Sequence, residues 1–205
     1  MFETIQNEDK FVLRQKFTLV INRYQFSIPQ GEDDDGTPFC FVEQARFKFK
    51  EDIRFFADES KQQELMRILA RSRFDPRARY DVTLADGSKL GEIQKVFGKS
   101  LLRSTYTIFD GSGTEVATAR EHSLGKALFR RLVGFVPYIG DYADWLPIAY
   151  DFEFLHGEEQ IGINRRRRFK LTDIYEIDLT ADPTRVLDRR LAIASIVGMD
   201  ALQAR

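Results

Sequence analysis

The chain has 205 residues, 43% of them hydrophobic and 13% aromatic, enough to bury a sizeable core and too apolar for disorder along its whole length. Lys plus Arg number 31 against 32 Asp plus Glu, so the global field is weak and any attraction to phosphate must come from local clustering. Cys40 is the only cysteine, which excludes an intramolecular disulfide and points to a reducing compartment.

The opening MFETIQNEDK has no basic region followed by an apolar run, so no secretory signal is expected. No uncharged apolar run reaches the roughly 18 to 20 residues of a membrane span. A soluble, cytoplasmic protein is the expectation. RYQFSI alternates Tyr24, Phe26 and Ile28 with Gln25 and Ser27, the period of a half-buried strand. The acidic run Glu32, Asp33, Asp34, Asp35, Gly36 is contiguous, whereas calcium ligands come from alternate positions of a wrapping loop, so it reads as a solvated hairpin turn. Residues 59–74, ESKQQELMRILARSRF, have the composition of a helix but no decisive period, leaving helix and strand both open on the residues alone.

Three similar hairpins follow. YDVTLADGSKLGEIQKVF sets Tyr80, Val82 and Leu84 before the turn Asp86-Gly87, with Leu90 and Ile93 after it. YTIFDGSGTEVATA repeats the pattern around Asp110-Gly111, and FEFLHGEEQIGI repeats it around Gly157. Basic-aromatic stretches punctuate these units: ARFKFK at 45–50, QKVFGK, and RRRFK. The chain reads as a meander of antiparallel hairpins in one domain, residues 1–205, with nothing resembling an interdomain linker.

So many short strands create an edge problem, which closure into a barrel removes, and a wide barrel needs an apolar filling. The C-terminus supplies one. Asp182-Pro183 is a helix start by its N-cap and first-turn proline, and a helix over 183–203 would run about 30 Å. From Leu191 to Met199 it is apolar all round, which marks a buried helix, with Gly198 allowing strands to approach its backbone. An amphipathic tail packed on a sheet face is the alternative.

The opening FVLRQKFTLVINRYQF, the unit RYDVTLADGSKLGEIQKVFGKSLLRSTYTI, and the close YEIDL with DRRLAIASIVGMDAL resemble the LURP-one-related family, a member of the tubby-like superfamily that also contains phospholipid scramblases. The resemblance spans residues 11–205 apart from an insertion near 123–148, and it rests on hairpin pattern and final helix rather than on a catalytic signature. It implies a mainly β fold: a closed antiparallel barrel of about twelve strands around a central C-terminal helix, with a strand within 59–74.

Function has to come from sites, since a fold hosts many. His122 and His156 are the only histidines, and no G-x-S-x-G, H-E-x-x-H or Cys/His ligand spacing exists, so neither catalysis nor a metal or cofactor is implied. The densest charge is NRRRRFK, with Arg165, Arg166, Arg167, Arg168 and Lys170. On a strand four consecutive arginines cannot all face one way, and none is expected to face a lumen filled by an apolar helix; a bulge or the barrel rim is their expected place. The guanidinium fork suits phosphate, and by analogy with tubby the resemblance implies a candidate site for anionic phospholipid headgroups, with no headgroup motif matched residue by residue. The alternative is a solvated charge run.

In the insertion, SLGKALFRRLVGFVPYIGDYADWLPIAY, Leu124, Leu128, Leu132 and Phe135 form a helical stripe flanked by Phe129, with Lys126, Arg130 and Arg131 toward the other side and Trp145 beyond. This is the composition of a membrane-interface segment; the same pattern serves a lid folded over the barrel wall or mouth, since such stripes usually pack inside their own protein. Three readings stay open: a non-enzymatic module touching anionic phospholipid at the cytoplasmic membrane face, a protein-interaction scaffold without lipid contact, and a small-ligand carrier or enzyme using the barrel mouth. A net charge of -1 and the lack of an aromatic stacking face beside the arginines argue against nucleic acid.

Overall fold

The computed structural model of the protein describes residues 2–17, 21–31, 36–45, 52–70, 79–96, 104–121, 151–166 and 173–203. A short 3-10 helix, Thr4–Asn7, precedes twelve strands: β1 Lys10–Phe17, β2 Ile21–Ile28, β3 Thr37–Ala45, β4 Asp52–Phe56, β5 Glu64–Ala70, β6 Arg79–Leu84, β7 Lys89–Lys95, β8 Thr105–Asp110, β9 Glu115–Glu121, β10 Phe152–His156, β11 Glu159–Arg166 and β12 Asp173–Asp178. Helix α1, Arg189–Gln203, ends the described chain.

Every strand pairs antiparallel with its sequence neighbours, and β1 pairs with β12 through Lys10–Asp178 to Gln15–Asp173, closing the barrel. Closure leaves no edge strand among the described residues, as the edge argument required. The hairpins fall where the alternation places them. Gly87 and Gly157 supply positive φ at their turns, but in the Asp110-Gly111 hairpin the left-handed residue is Gly113 rather than Gly111, because Asp110 accepts from the backbone N–H groups of Ser112 and Thr114 and winds the loop over four residues.

The ambiguous stretch resolves to strand over Glu64–Ala70; residues 71–74 lie outside the described residues. Met66, Ile68 and Ala70 point into the barrel, while Arg67 points out and pairs with Asp52, Nε to Oδ1 and Nη2 to Oδ2 both at 2.5 Å. Its helix-forming composition loses because its apolar residues fit the inward row between β4 and β6, where Ile53, Ile68 and Val82 stand in register.

Helix α1 fills the lumen. Leu191 through Met199 are all buried, and Ser195 Oγ donates to the Leu191 carbonyl at 2.7 Å, so its hydroxyl is satisfied within the helix. A Cβ on Gly198 would stand 2.9 Å from Ile93 Cδ1 and 3.6 Å from Ile68 Cδ1, so the missing side chain is what admits β5 and β7 to the helix backbone.

The helix starts six residues later than Asp182-Pro183 suggests. Arg185 takes a left-handed φ of 54°, which stops a helix, and Asp182 instead accepts from the backbone N–H groups of Val186 and Leu187 at 2.9 and 3.1 Å, capping a turn. Asp188 is the helix cap: its Oδ1 accepts from Arg190 N–H at 2.8 Å and its carbonyl from Ala192 N–H at 2.9 Å.

Candidate functional site

The meander gives the barrel two chemically different rims. β1, β3, β5, β7, β9 and β11 end at one of them, and β2, β4, β6, β8, β10 and β12 begin there. The sequence that continues from those strand ends, residues 46–51, 71–78, 96–104, 122–151 and 167–172, holds fourteen Lys and Arg against five Asp and Glu. At the opposite rim, where α1 enters, the described residues before β1 and in the connections hold nine acidic residues; Lys61 and Arg185 are their basic counterparts, joined by Arg189 and Arg190 at the helix start. A net charge near zero thus hides an uneven distribution: the sequence continuing from one set of strand ends is basic, and the described connections at the other rim are acidic.

The outer wall between the rims is internally compensated. Arg23 pairs with Glu43 at 3.0 Å, and Lys61 shares the same carboxylate. Arg67 binds Asp52 through two nitrogens, and Arg120 Nε meets Glu153 Oε1 at 2.7 Å. Hydrogen bonds from Lys61 hold the Glu43 carboxyl below its ordinary range, and those from Arg67 do the same for Asp52.

The arginine run straddles the end of β11. Arg165 is exposed and stands in register with Glu176, while Arg166 is half-buried, in register with Tyr175, and its backbone N–H donates to Asp151 Oδ1 at 3.0 Å. Arg167, Arg168 and Lys170 lie outside the described residues, as do Lys126, Phe129, Arg130, Arg131, Phe135 and Trp145 of the insertion and the acidic residues 32–35. The rim expectation holds for the described pair. Arg166, the last residue of β11, is in register with Tyr175, which is in turn opposite inward Leu13.

The lumen is polar at the end where β11 finishes. Gln15, Asn22, Gln44, Glu121 and Asn164 point inward there and are all buried, and Tyr24 donates to Gln44 Oε1 at 2.9 Å. The helix packs on the β5–β7 side through Gly198, and on the other side Ile196 leaves a cavity of about 20 Å³ lined by Leu13, Gln15, Tyr24, Phe152, Asn164 and Tyr175. This layer went unread in the sequence, though its signal is there: Phe11, Leu13 and Gln15 share one parity of β1.

Among the described residues no group of three His, Cys, Asp or Glu is placed to hold a metal ion, and no helix is long and apolar enough to cross a membrane. Cys40 is buried, and burial pushes its thiol far up, away from the thiolate a nucleophile needs. His156 Nδ1 lies 2.9 Å from the Val116 carbonyl, a structural contact.

Compared with known families, residues 39–200 match the LURP-one-related description. The chain belongs to the LURP-one-related family. The match runs from β3 into α1, so this LURP-one-related barrel is recognised across most of its strands and its lumen helix together. No curated protein matches the chain.

Proposed function

We propose that this LURP-one-related barrel is a non-enzymatic, cytoplasmic, tubby-like module that binds anionic phospholipid headgroups, and that it does so end-on, through its basic rim. What carries this is the segregation of Lys and Arg, in sequence, to the connections that continue from one set of strand ends. The segments that follow the odd-numbered strands are rich in Lys and Arg in sequence, while the wall cations Arg23, Arg67 and Arg120 have carboxylate partners close by. Arg165 and Arg166 sit at that rim, and Arg167, Arg168 and Lys170 continue from it in sequence. The insertion leaves from Glu121 and returns at Asp151, strand ends of the same rim, which favours its basic-apolar pattern as an interface element.

Each basic residue near an anionic surface contributes about 1 kcal/mol, screened beyond the Debye length, and the acidic rim is repelled by the same surface. Together these orient the barrel with its helix entrance away from the membrane. The test is sedimentation with phosphatidylcholine vesicles with and without phosphatidylglycerol. Binding that needs the anionic lipid, fades with salt, and weakens in the Arg165–Arg168→Ser variant supports the reading. Absence of binding to anionic vesicles at low salt overturns it.

A further inference from the structure

The cavity beside Ile196 has an unusual lining for a barrel core. Asn164 is only 3% exposed, yet its side-chain Oδ1 has no hydrogen-bond partner among the described residues, and it faces the cavity. Asn22 Oδ1, on β2 at the same end of the lumen, is in the same condition. Buried acceptors of this kind call for a donor. Three aromatic residues, Tyr24, Phe152 and Tyr175, line the same space, and aromatic rings attract a cation over their faces. Glu121, 2% exposed, lies in register with Phe152, which is in register with Asn164, so a buried carboxylate stands two strands from the cavity. Among the described residues no Lys or Arg lines the cavity.

The space, about 20 Å³, admits one group the size of a water molecule. A primary ammonium is of that size and a trimethylated one is not. We propose that this cavity is a site for a primary ammonium group, carried by a lipid headgroup or by a free amine. Its acceptors and rings supply hydrogen bonds and a cation–π surface.

The headgroup source rests on the lipid reading above. The cavity lies at the basic end of the lumen, with Arg166 on the same face of β11 as Asn164. A headgroup of the ethanolamine or serine kind fits both features, its phosphate meeting the rim and its ammonium entering the mouth. A choline headgroup offers the phosphate alone.

The experiment compares vesicles of equal phosphatidylglycerol content made up with either phosphatidylethanolamine or phosphatidylcholine, alongside soluble ethylammonium followed by NMR of the Asn164 and Gln15 side-chain amides. Binding about tenfold tighter to the ethanolamine vesicles, equalised by Asn164→Leu and widened by Asn164→Asp, supports the headgroup source. Ethylammonium shifts without a vesicle preference support the site and assign it to free amines. Should Asn164→Leu fail to fold, Asn164→Asp alone decides, because a structural role does not raise amine affinity. No vesicle preference and no amide shift overturns the proposal, as a cavity holding only water would behave. Loss of all vesicle binding is a different result: it removes the lipid reading and leaves ethylammonium to judge the cavity.

Discussion

Arg189 donates from Nη1 to Asp182 Oδ2 at 2.7 Å with both side chains buried, and this pair locks the lumen helix into the acidic rim. The same guanidinium reaches Asp9 Oδ1 at 2.8 Å and the carbonyls of Glu8 and Leu179, so one side chain ties together the start of β1, the end of β12 and the first turn of α1. Asp188, pushed up by burial, is held below its ordinary range by Arg190 and Gln6 beside it. Breaking a buried pair by removing one partner leaves the other uncompensated. Asp182→Ala should therefore cost about 3 to 5 kcal/mol, measured by urea unfolding. A loss under about 1 kcal/mol, the range of exposed pairs, would mean the pair is solvated.

Gly198→Leu should overpack the helix against Ile93 and Ile68, destabilising by about 1 to 3 kcal/mol or more. Ending the chain after Asp188 removes α1 and should give insoluble or unfolded protein. A truncated chain that stays soluble and unfolds cooperatively would show that the barrel does not depend on its helix.

Replacing Arg165 to Arg168 with Ser should weaken binding to anionic vesicles while shifting stability by only about 0.5 kcal/mol, because Arg165 is exposed and Arg166 half-buried at the rim. Trp145 is the only tryptophan, so its emission reports on the insertion alone. It should move to the blue on adding anionic vesicles and return with salt. Emission already blue in buffer and indifferent to vesicles would assign the insertion to a lid.

Acid should destabilise the wall. The Glu43 and Asp52 carboxyls are held below their ordinary values of 4.5 and 3.8, so their contribution is complete above those values and is lost as pH falls through the lowered, folded-state ones. The melting temperature should change little between pH 7 and pH 5 on account of these groups and fall below about pH 4. Asp52→Asn should flatten that acid limb; an unchanged limb would assign it to other carboxyls.

Cys40, buried and with its thiol pushed up by burial, should not react with a thiol reagent in the native protein and should react fully in denaturant. Native-state labelling at the rate of a free thiol would show that the β2–β3 region opens.

The meander, the hairpin turns at Asp86-Gly87 and Gly157, and the burial of Leu191 to Met199 were legible in the residues alone, because these rest on periodicity and turn chemistry within a few neighbouring residues. The strand at Glu64–Ala70 needed more: its composition favours a helix, and only the inward row between Ile53 and Val82 makes the extended form the better fit. The helix start needed more again, since Asp182 and Asp188 are both competent caps. The choice falls to Asp188 because Arg189 must reach Asp182, Asp9 and the carbonyls of Glu8 and Leu179 at once. Most of the candidate site was illegible for the same reason. Gln15, Asn22, Gln44, Glu121 and Asn164 lie on five different strands and look like unremarkable polar residues one at a time. Closure of β1 on β12 brings them to one end of one lumen, the end at which β11 finishes with Arg165 and Arg166.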